Sequence, residues 1–452
     1  MTSKHNIPLD DGSGWSNQDE QEHPQSILEW WCMICFFNTQ HNGQTEQWTA
    51  KLTLCEWREQ NQTRLGSTLS AVLHNMTADK HYTLIKRNDE TTLNSKPGDL
   101  DIDYQQIAGI KGKHPHFKIY LTDKQNNLSF NFTLSAVSKP YFVAKKITDG
   151  HLPLGVGVYR YGFNPNLDLN GTFTYKNHTH TITKAKAYYE HVWGDFNYAN
   201  PLEDLSSIKN NLKISMKLLS WFNAHHHIHI PNKIKLTSEN SPLGYDWAWA
   251  VFDNNWSFFY GNILLFLMQG PVPGTFILNK DGAYTEYADV CFSYNHTTTA
   301  HTFDFIYPDD FSITAKDAKG ILKLHFKMTH TTREFVSRLN PKGYWIGFVI
   351  CEAPGTVTGT YTKNDGTIIK LNGQTKIEPQ RQISILGHNQ LELSIAKPPH
   401  GVGIDIELIS HFFSKHLKAK LHLLPRPKLK LSIQKLSYNP KKNTHNTTQD
   451  HL

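Results

Sequence analysis

Helical periodicity is almost absent from this chain, and that narrows its fold more than any other feature. From residue 27 to residue 190, short runs of β-branched and aromatic residues alternate with Asn, Asp, Gly and Lys turns. Leu128-Ser-Phe-Asn-Phe-Thr-Leu134 alternates apolar and polar residues with period two, the mark of a strand with one face in a core. Residues 81–85, 117–121 and 171–175 repeat the pattern. The expected fold class is all-β, with antiparallel sandwiches or barrels. Residues 204–221 are the best helical candidate.

Ile27-Leu-Glu-Trp-Trp-Cys-Met-Ile-Cys-Phe-Phe37 reads as a central strand, because it is apolar throughout except for Glu29. A charge in such a run is paired or functional, and pairing is the expectation. Cys32 and Cys35 are expected to be core thiols, since positions i and i+3 of a strand face opposite ways. Further strands are expected at 245–252, 256–265, 302–308, 321–328, 344–350, 355–361 and 368–371. Gln269-Gly-Pro-Val-Pro-Gly274 is stiff punctuation and serves as the expected domain boundary. The organisation read from the sequence is a flexible lead-in at 1–24 and a β domain at 25–270, interrupted by a helical and His-rich connection at 203–241. A second β domain follows at 271–437, then a disordered tail at 438–452.

Composition excludes several classes of function. With 452 residues, 38% of them hydrophobic and 12% aromatic, the chain can build two substantial cores. A net charge of +6 is mild, and no concentrated basic face calls for nucleic acid. Five scattered cysteines form no disulfide framework. The first ten residues lack an apolar signal core, and the apolar run 258–268 is too short to span a bilayer, so a cytoplasmic protein is expected. The Leu/Lys alternation at 417–433 reads as an edge strand with lysines facing water, with a basic ribbon that contacts membrane or nucleic acid as the minor alternative. His225, His227 and His229 would share one face of a strand; a solvated loop is preferred to a metal site. No metal and no cofactor is expected.

The chemistry-bearing stretch is Ala187-Tyr-Tyr-Glu-His-Val-Trp-Gly-Asp-Phe196. On a strand, His191 and Trp193 project together while Glu190 and Val192 point the other way. A histidine beside an indole suits a site that holds an apolar ligand and moves a proton. The plainer alternative is a buried histidine satisfied by a backbone carbonyl.

Several motifs together resemble a known family. His23-Pro24 followed by Ile27-Leu-Glu-Trp-Trp31 resembles the opening of the lipocalin-like family that includes AttH-type proteins and carotenoid 1,2-hydratases (hydroxyneurosporene synthases). Glu190-His-Val-Trp-Gly194 resembles that family's D-H-x-W-G, and Gly244-Tyr-Asp-Trp-Ala-Trp249 its following strand. Tyr344-Trp-Ile-Gly347 and the run from Gly355 to Tyr361 resemble motifs of its second domain. Fungal Diels–Alderases look like members of the same broad superfamily. The resemblance spans residues 22–375. It implies two lipocalin-like β domains around an apolar ligand cavity, with catalytic positions at His191, Trp193, Tyr260 and Asn262. Family members carry an Asp where this chain has Asn262, and an amide cannot protonate an alkene. Asp246 is a possible substitute acid. The cleft is expected to be lined by Trp30, Trp31, His191, Trp193, Tyr245, Asp246, Trp247, Trp249 and Tyr260. The expected partner is a hydrophobic, isoprenoid- or polyketide-like small molecule, hydrated, isomerised or cyclised there. Non-catalytic carriage of such a ligand is the rival reading, favoured by Asn262 and opposed by the His-x-Trp pair.

Overall fold

The computed structural model describes residues 15–436, except 42, 59–63, 89–92, 94, 96–97, 155–156, 196–204, 226–232, 238–243, 265–274, 302–305, 338–346, 384–390, 397–403, 413–414 and 424–428. Two curled antiparallel sheets dominate, giving two lipocalin-like β domains. The first contains β1 (Leu28–His41), β2 (Gln44–Arg58), β3 (Arg64–Asn75), β4 (Lys80–Asn88) and β5 (Leu100–Tyr104). It continues with β6 (Ala108–Lys113), β7 (His116–Asp123), β8 (Leu128–Ala136), β9 (Gly157–Tyr175) and β10 (Thr183–Gly194). Their spatial order is β4-β3-β2-β1-β10-β9-β8-β7-β6-β5, with three short strands added along β9.

The second sheet contains β11 (Gly244–Phe252), β12 (Ser257–Leu264), β13 (Phe276–Lys280), β14 (Ala283–Glu286) and β15 (Asp289–Thr299). β16 (Ile306–Asp317), β17 (Gly320–Met328), β18 (Gly347–Lys363) and β19 (Ile368–Ile383) complete it, in the order β14-β13-β12-β11-β19-β18-β17-β16-β15. Both sheets follow one plan. The first strand pairs with the last, and the sheet ends on two strands adjacent in sequence. A third sheet joins Lys233–Thr237, Leu391–Ala396, Ile404–Phe412, Lys415–Leu423 and Leu429–Leu436.

Alternation along β1 organises the interior. Trp31, Met33, Cys35 and Phe37 enter the core of the first sheet. Leu28, Cys32, Ile34 and Phe36 enter a second core shared with Trp247, Trp249, Val251 and Phe259 of the other sheet. A strand buried on both faces needs apolar residues on both, which accounts for the run from Trp30 to Phe37. Each fully buried Leu, Ile, Phe or Met side chain there stabilises the fold by roughly 1.5–3 kcal/mol. A third core, with Phe258, Tyr260, Phe311 and Phe326, fills the second sheet.

Several expectations are corrected. Strands β11 and β12 hydrogen-bond into the second sheet, through β11 against β19, so that sheet begins at Gly244 and not beyond 270. Residues 15–24 of the expected loose lead-in are folded: Trp15 and Glu20 are buried, and a 3-10 turn spans Asn17–Asp19. Gly162 makes room for Trp15, since a Cβ there would sit 1.8 Å from the indole. The Leu/Lys tail forms two strands instead of one, and only Leu429–Leu436 lies at the edge of its sheet. The helix is Leu205–His225, and its Ile214 and Leu218 join the core between the sheets. His225 is the last residue of that helix, and the rest of the histidine run, with His227 and His229, is not among the described residues. Residues 226–232, the tail beyond 436 and Tyr344 to Ile346 lie outside the described residues.

Candidate functional site

Strand β10 carries two different clusters on its two faces. On the inner face, His191 is fully buried between the rings of Trp31, stacked at 4.8 Å between centroids, and Trp193 at 4.6 Å. Its Nδ1 lies 2.7 Å from the Asp19 carbonyl oxygen, and its Nε2 lies 2.8 Å from Glu29 Oε1. Glu29 also accepts the backbone N–H of His23 at 2.9 and 3.0 Å and the His23 ring Nδ1 at 2.9 Å. The His23 ring stacks flat on Trp193, 4.0 Å away. Arg58 Nη1 approaches Glu29 at 3.3 Å, while its Nη2 donates to Glu22 and Glu56 at 2.6 Å each. Burial pushes the Glu29 carboxyl up, but the two histidines hold it down at about 2. Burial likewise pulls the His191 ring below its ordinary value, against the upward pull of Glu29. Both ring nitrogens are turned toward protein oxygens at hydrogen-bond distance, so neither is turned toward a ligand. The bland alternative for His191, a buried ring satisfied within the protein, describes this geometry.

Beside this lock lies Glu20, unnoticed in the sequence because it sits in the polar lead-in. Burial pushes its carboxyl up to about 7, against the N–H donors of His114 and Trp15. A raised folded-state pKa contributes stability that is present below the unfolded value, about 4.5, and lost as pH rises through about 7. Glu20→Gln is therefore expected to abolish a pH-dependent loss of up to about 3 kcal/mol between pH 5 and 8. Urea midpoints of both proteins at the two pH values test this; identical pH responses would refute the assignment.

The outer face of β10 is turned toward the core that the two sheets share. Glu190 Oε2 accepts the hydroxyl protons of Tyr188, at 2.8 Å, and Tyr161, while Oε1 accepts the Trp30 indole N–H at 3.1 Å. Tyr161 and Tyr188 are themselves 2.7 Å apart, and Trp247 Nε1 donates to the Tyr161 oxygen at 3.1 Å. Burial raises the Glu190 carboxyl above its ordinary value, outweighing the three donors that lower it. On the second sheet, Tyr245 donates to Glu378 at 2.8 Å, and Lys51 of β2 bridges Glu378 and Glu352 of that sheet. Glu190, Trp30, Trp57, Tyr161 and Tyr245 all keep partial exposure, unlike the fully buried residues of the two sheet cores.

The expected single cleft is thus divided. His191, Trp193 and Trp31 stand together on the inner face. Trp30, Tyr245, Trp247 and Trp249 stand between the sheets, with Trp249 fully buried and donating to the Pro165 carbonyl oxygen at 2.8 Å. Tyr260 lies in the core of the second sheet. Asp246 is paired there with Arg381 at 2.8 Å and with the Tyr294 hydroxyl. Asn262 pairs with Asp246 through the backbone, and its side chain lies outside the description. The division follows from alternation: Trp30 and Trp31 are neighbours and so face opposite ways, as do Glu190 and His191. Glu190 entered the sequence reading only as the residue turned away from His191. The signal that could have found its site was the period-two series Tyr159, Tyr161, Phe163 facing Tyr188 and Glu190 across the β9–β10 ladder.

Two curled sheets of this plan, packed through an aromatic layer, define a lipocalin-like fold. Two solved structures share the fold. A protein of Nitrosomonas europaea assigned as AttH matches with a TM-score of 0.52 at 14% identity, covering 82% of this chain and 98% of its own. Kievitone hydratase from Nectria haematococca matches with a TM-score of 0.50 at 14% identity, covering 85% and 95%. No family model and no curated protein matches the sequence. Among the described residues, no helix is long and apolar enough to cross a membrane.

Proposed function

We propose that this chain is an enzyme of hydratase or cyclase type that acts on a hydrophobic, isoprenoid- or polyketide-like small molecule held between the two sheets. The observation that carries the reading is the Glu190 cluster. A carboxyl group with a raised proton affinity stands among partly exposed indoles and phenols, where an apolar ligand displaces little bound water. In a hydration, protonated Glu190 gives its proton to an alkene carbon. The faces of Trp30, Tyr159 and Tyr161 stabilise the cation, and water adds to it. The proton lost by that water returns to Glu190 through the Tyr161–Tyr188 hydroxyl pair. In a cyclisation, the same walls orient the reacting ends. His191 is assigned a positioning role: its lock to Asp19 and Glu29 holds β10 so that Glu190 projects outward. The fold shared with a kievitone hydratase supports the reading.

The test is native mass spectrometry of protein purified from its own host, followed by solvent extraction. The expected result is a bound apolar molecule of defined mass that the protein converts to a second species. An empty protein that takes up no added terpenoid or polyketide would overturn the proposal, and a ligand that is bound and returned unchanged would make the chain a carrier.

A further inference from the structure

The second sheet brings a polar group of its own to the core that the two sheets share. Alternation along β19 puts Lys376, Glu378 and Gln380 on one face, and the register sets Glu378 opposite Trp247 and Gln380 opposite Tyr245 of β11. Tyr245 and Trp247 pack into the shared core, so that face of β19 is turned toward the first sheet. Lys51 of β2 reaches over to Glu378 and, at 3.1 Å, to Glu352. Glu352 also pairs with Arg333 at 3.1 Å and with Lys376 at 3.6 Å. Trp247 ties the group to Glu190: its Nε1 donates to the Tyr161 oxygen, and Tyr161 donates to Glu190. Glu190 feels the charge of Glu378, and Tyr245 feels both. Each of these charged side chains has a partner. The amide oxygen of Gln380, in a residue only 2% exposed, has none.

We infer that Gln380 is the polar subsite of the site assigned to Glu190 and that it recognises a hydroxyl group on the ligand, an inference that rests on the reading of that site given above. The ligand class narrows to an apolar alcohol or phenol. The argument is one of hydrogen-bond sense. An amide oxygen only accepts, so its partner has to bring a donor; a hydrocarbon brings nothing, and a ketone or ether brings a second acceptor. Tyr245, directly opposite, is not that donor. Burial and the charges of Glu378 and Glu190 hold its proton on the oxygen, and the hydroxyl gives that proton to Glu378 at 2.8 Å. A hydroxyl is favoured over an ammonium, since Lys51, Lys376 and Arg333 already surround Glu352 and Glu378. A buried acceptor left without a donor is costly, and a ligand that supplies the donor recovers the cost. A site built in this way rejects an analogue that lacks the hydroxyl, because the buried group is then left unpaired.

The test measures binding to the full chain by quenching of tryptophan fluorescence, with two matched pairs of probes: farnesol and its methyl ether, and naphthol and its methyl ether. Each ether keeps the apolar body and the oxygen and loses the donor. Wild type is expected to bind each hydroxyl compound about tenfold to a hundredfold more tightly than its ether. Gln380→Met keeps the length of the side chain and removes the acceptor, so it should abolish the preference by weakening the hydroxyl compounds. It should leave the urea midpoint unchanged or raise it, because the oxygen it deletes has no partner within the protein; a purely structural Gln380 would lower it. Glu190→Gln should keep the preference. Equal binding of hydroxyl compound and ether by wild type, as expected if water alone fills the acceptor, would overturn the inference and leave the reading of Glu190 standing. So would a preference that survives Gln380→Met. Binding of none of the four probes would overturn the reading of the site itself.

Discussion

Glu190→Gln is expected to lower turnover by roughly 10²- to 10⁴-fold while leaving ligand affinity within a few-fold. Glutamine preserves the shape, and its amide oxygen can still accept from Tyr161 and Tyr188, so that only the Trp30 indole N–H loses its acceptor. What it lacks is the transferable proton. The pH dependence has a definite sign. A general acid works in its protonated form, so the wild-type rate should fall as pH rises through the elevated Glu190 value, and that limb should be missing from the variant's residual activity. His191→Asn separates positioning from chemistry. It should cost stability and weaken ligand binding together with turnover, because its route to the reaction is the placement of β10. A variant with full stability, intact binding and no turnover would instead return the acid–base role to His191.

Arg58→Met is expected to destabilise the chain by roughly 3–5 kcal/mol, a large share of the roughly 5–15 kcal/mol of an ordinary fold. Arg58 is 2% exposed and neutralises Glu22, Glu29 and Glu56, besides donating to the Ser26 carbonyl oxygen at 3.1 Å. Its removal takes the guanidinium away from three carboxylates that lie near one another. The damage should spread, because Glu29 is what joins His23 and His191. Urea unfolding measures the loss, and Arg58→Lys should recover only part of it, since an ammonium cannot reproduce the forked contacts. A stability change below about 1 kcal/mol for Arg58→Met would mean that the network is not what holds β1 to β10.

Local pattern carried much of this fold in the sequence. The β1 run, the period-two strand at Leu128–Ala136, the helix that begins near 204 and the pairing of His191 with Trp193 were all readable, because each depends on alternation or propensity within a dozen residues. The pairing expected for Glu29 was readable for the same reason, although its partners were not: His23, Arg58 and His191 come from a turn and two other strands. Assignment of β11 and β12 to the second sheet was not legible, because sheet membership is decided by pairing with β19, more than 120 residues away. Nor was the division of the tryptophans between faces carried through. Alternation shows that Trp30 and Trp31 part company, but which side meets the other sheet depends on how two sheets pack. The order in residues 15–24 was hidden by their polarity; Glu20 is held by His114, and Trp15 fits only because residue 162 is glycine.

The measurement that bears most directly on the central claim is the crystal structure of the protein with its extracted ligand. The account requires electron density between the sheets, in contact with Trp30, Tyr161 and Trp247, with the Glu190 carboxyl within hydrogen-bond reach of the reacting atoms. Density inside the core of either sheet, against His191 and Trp193 or against Tyr260, would contradict it and place the chemistry within a single domain.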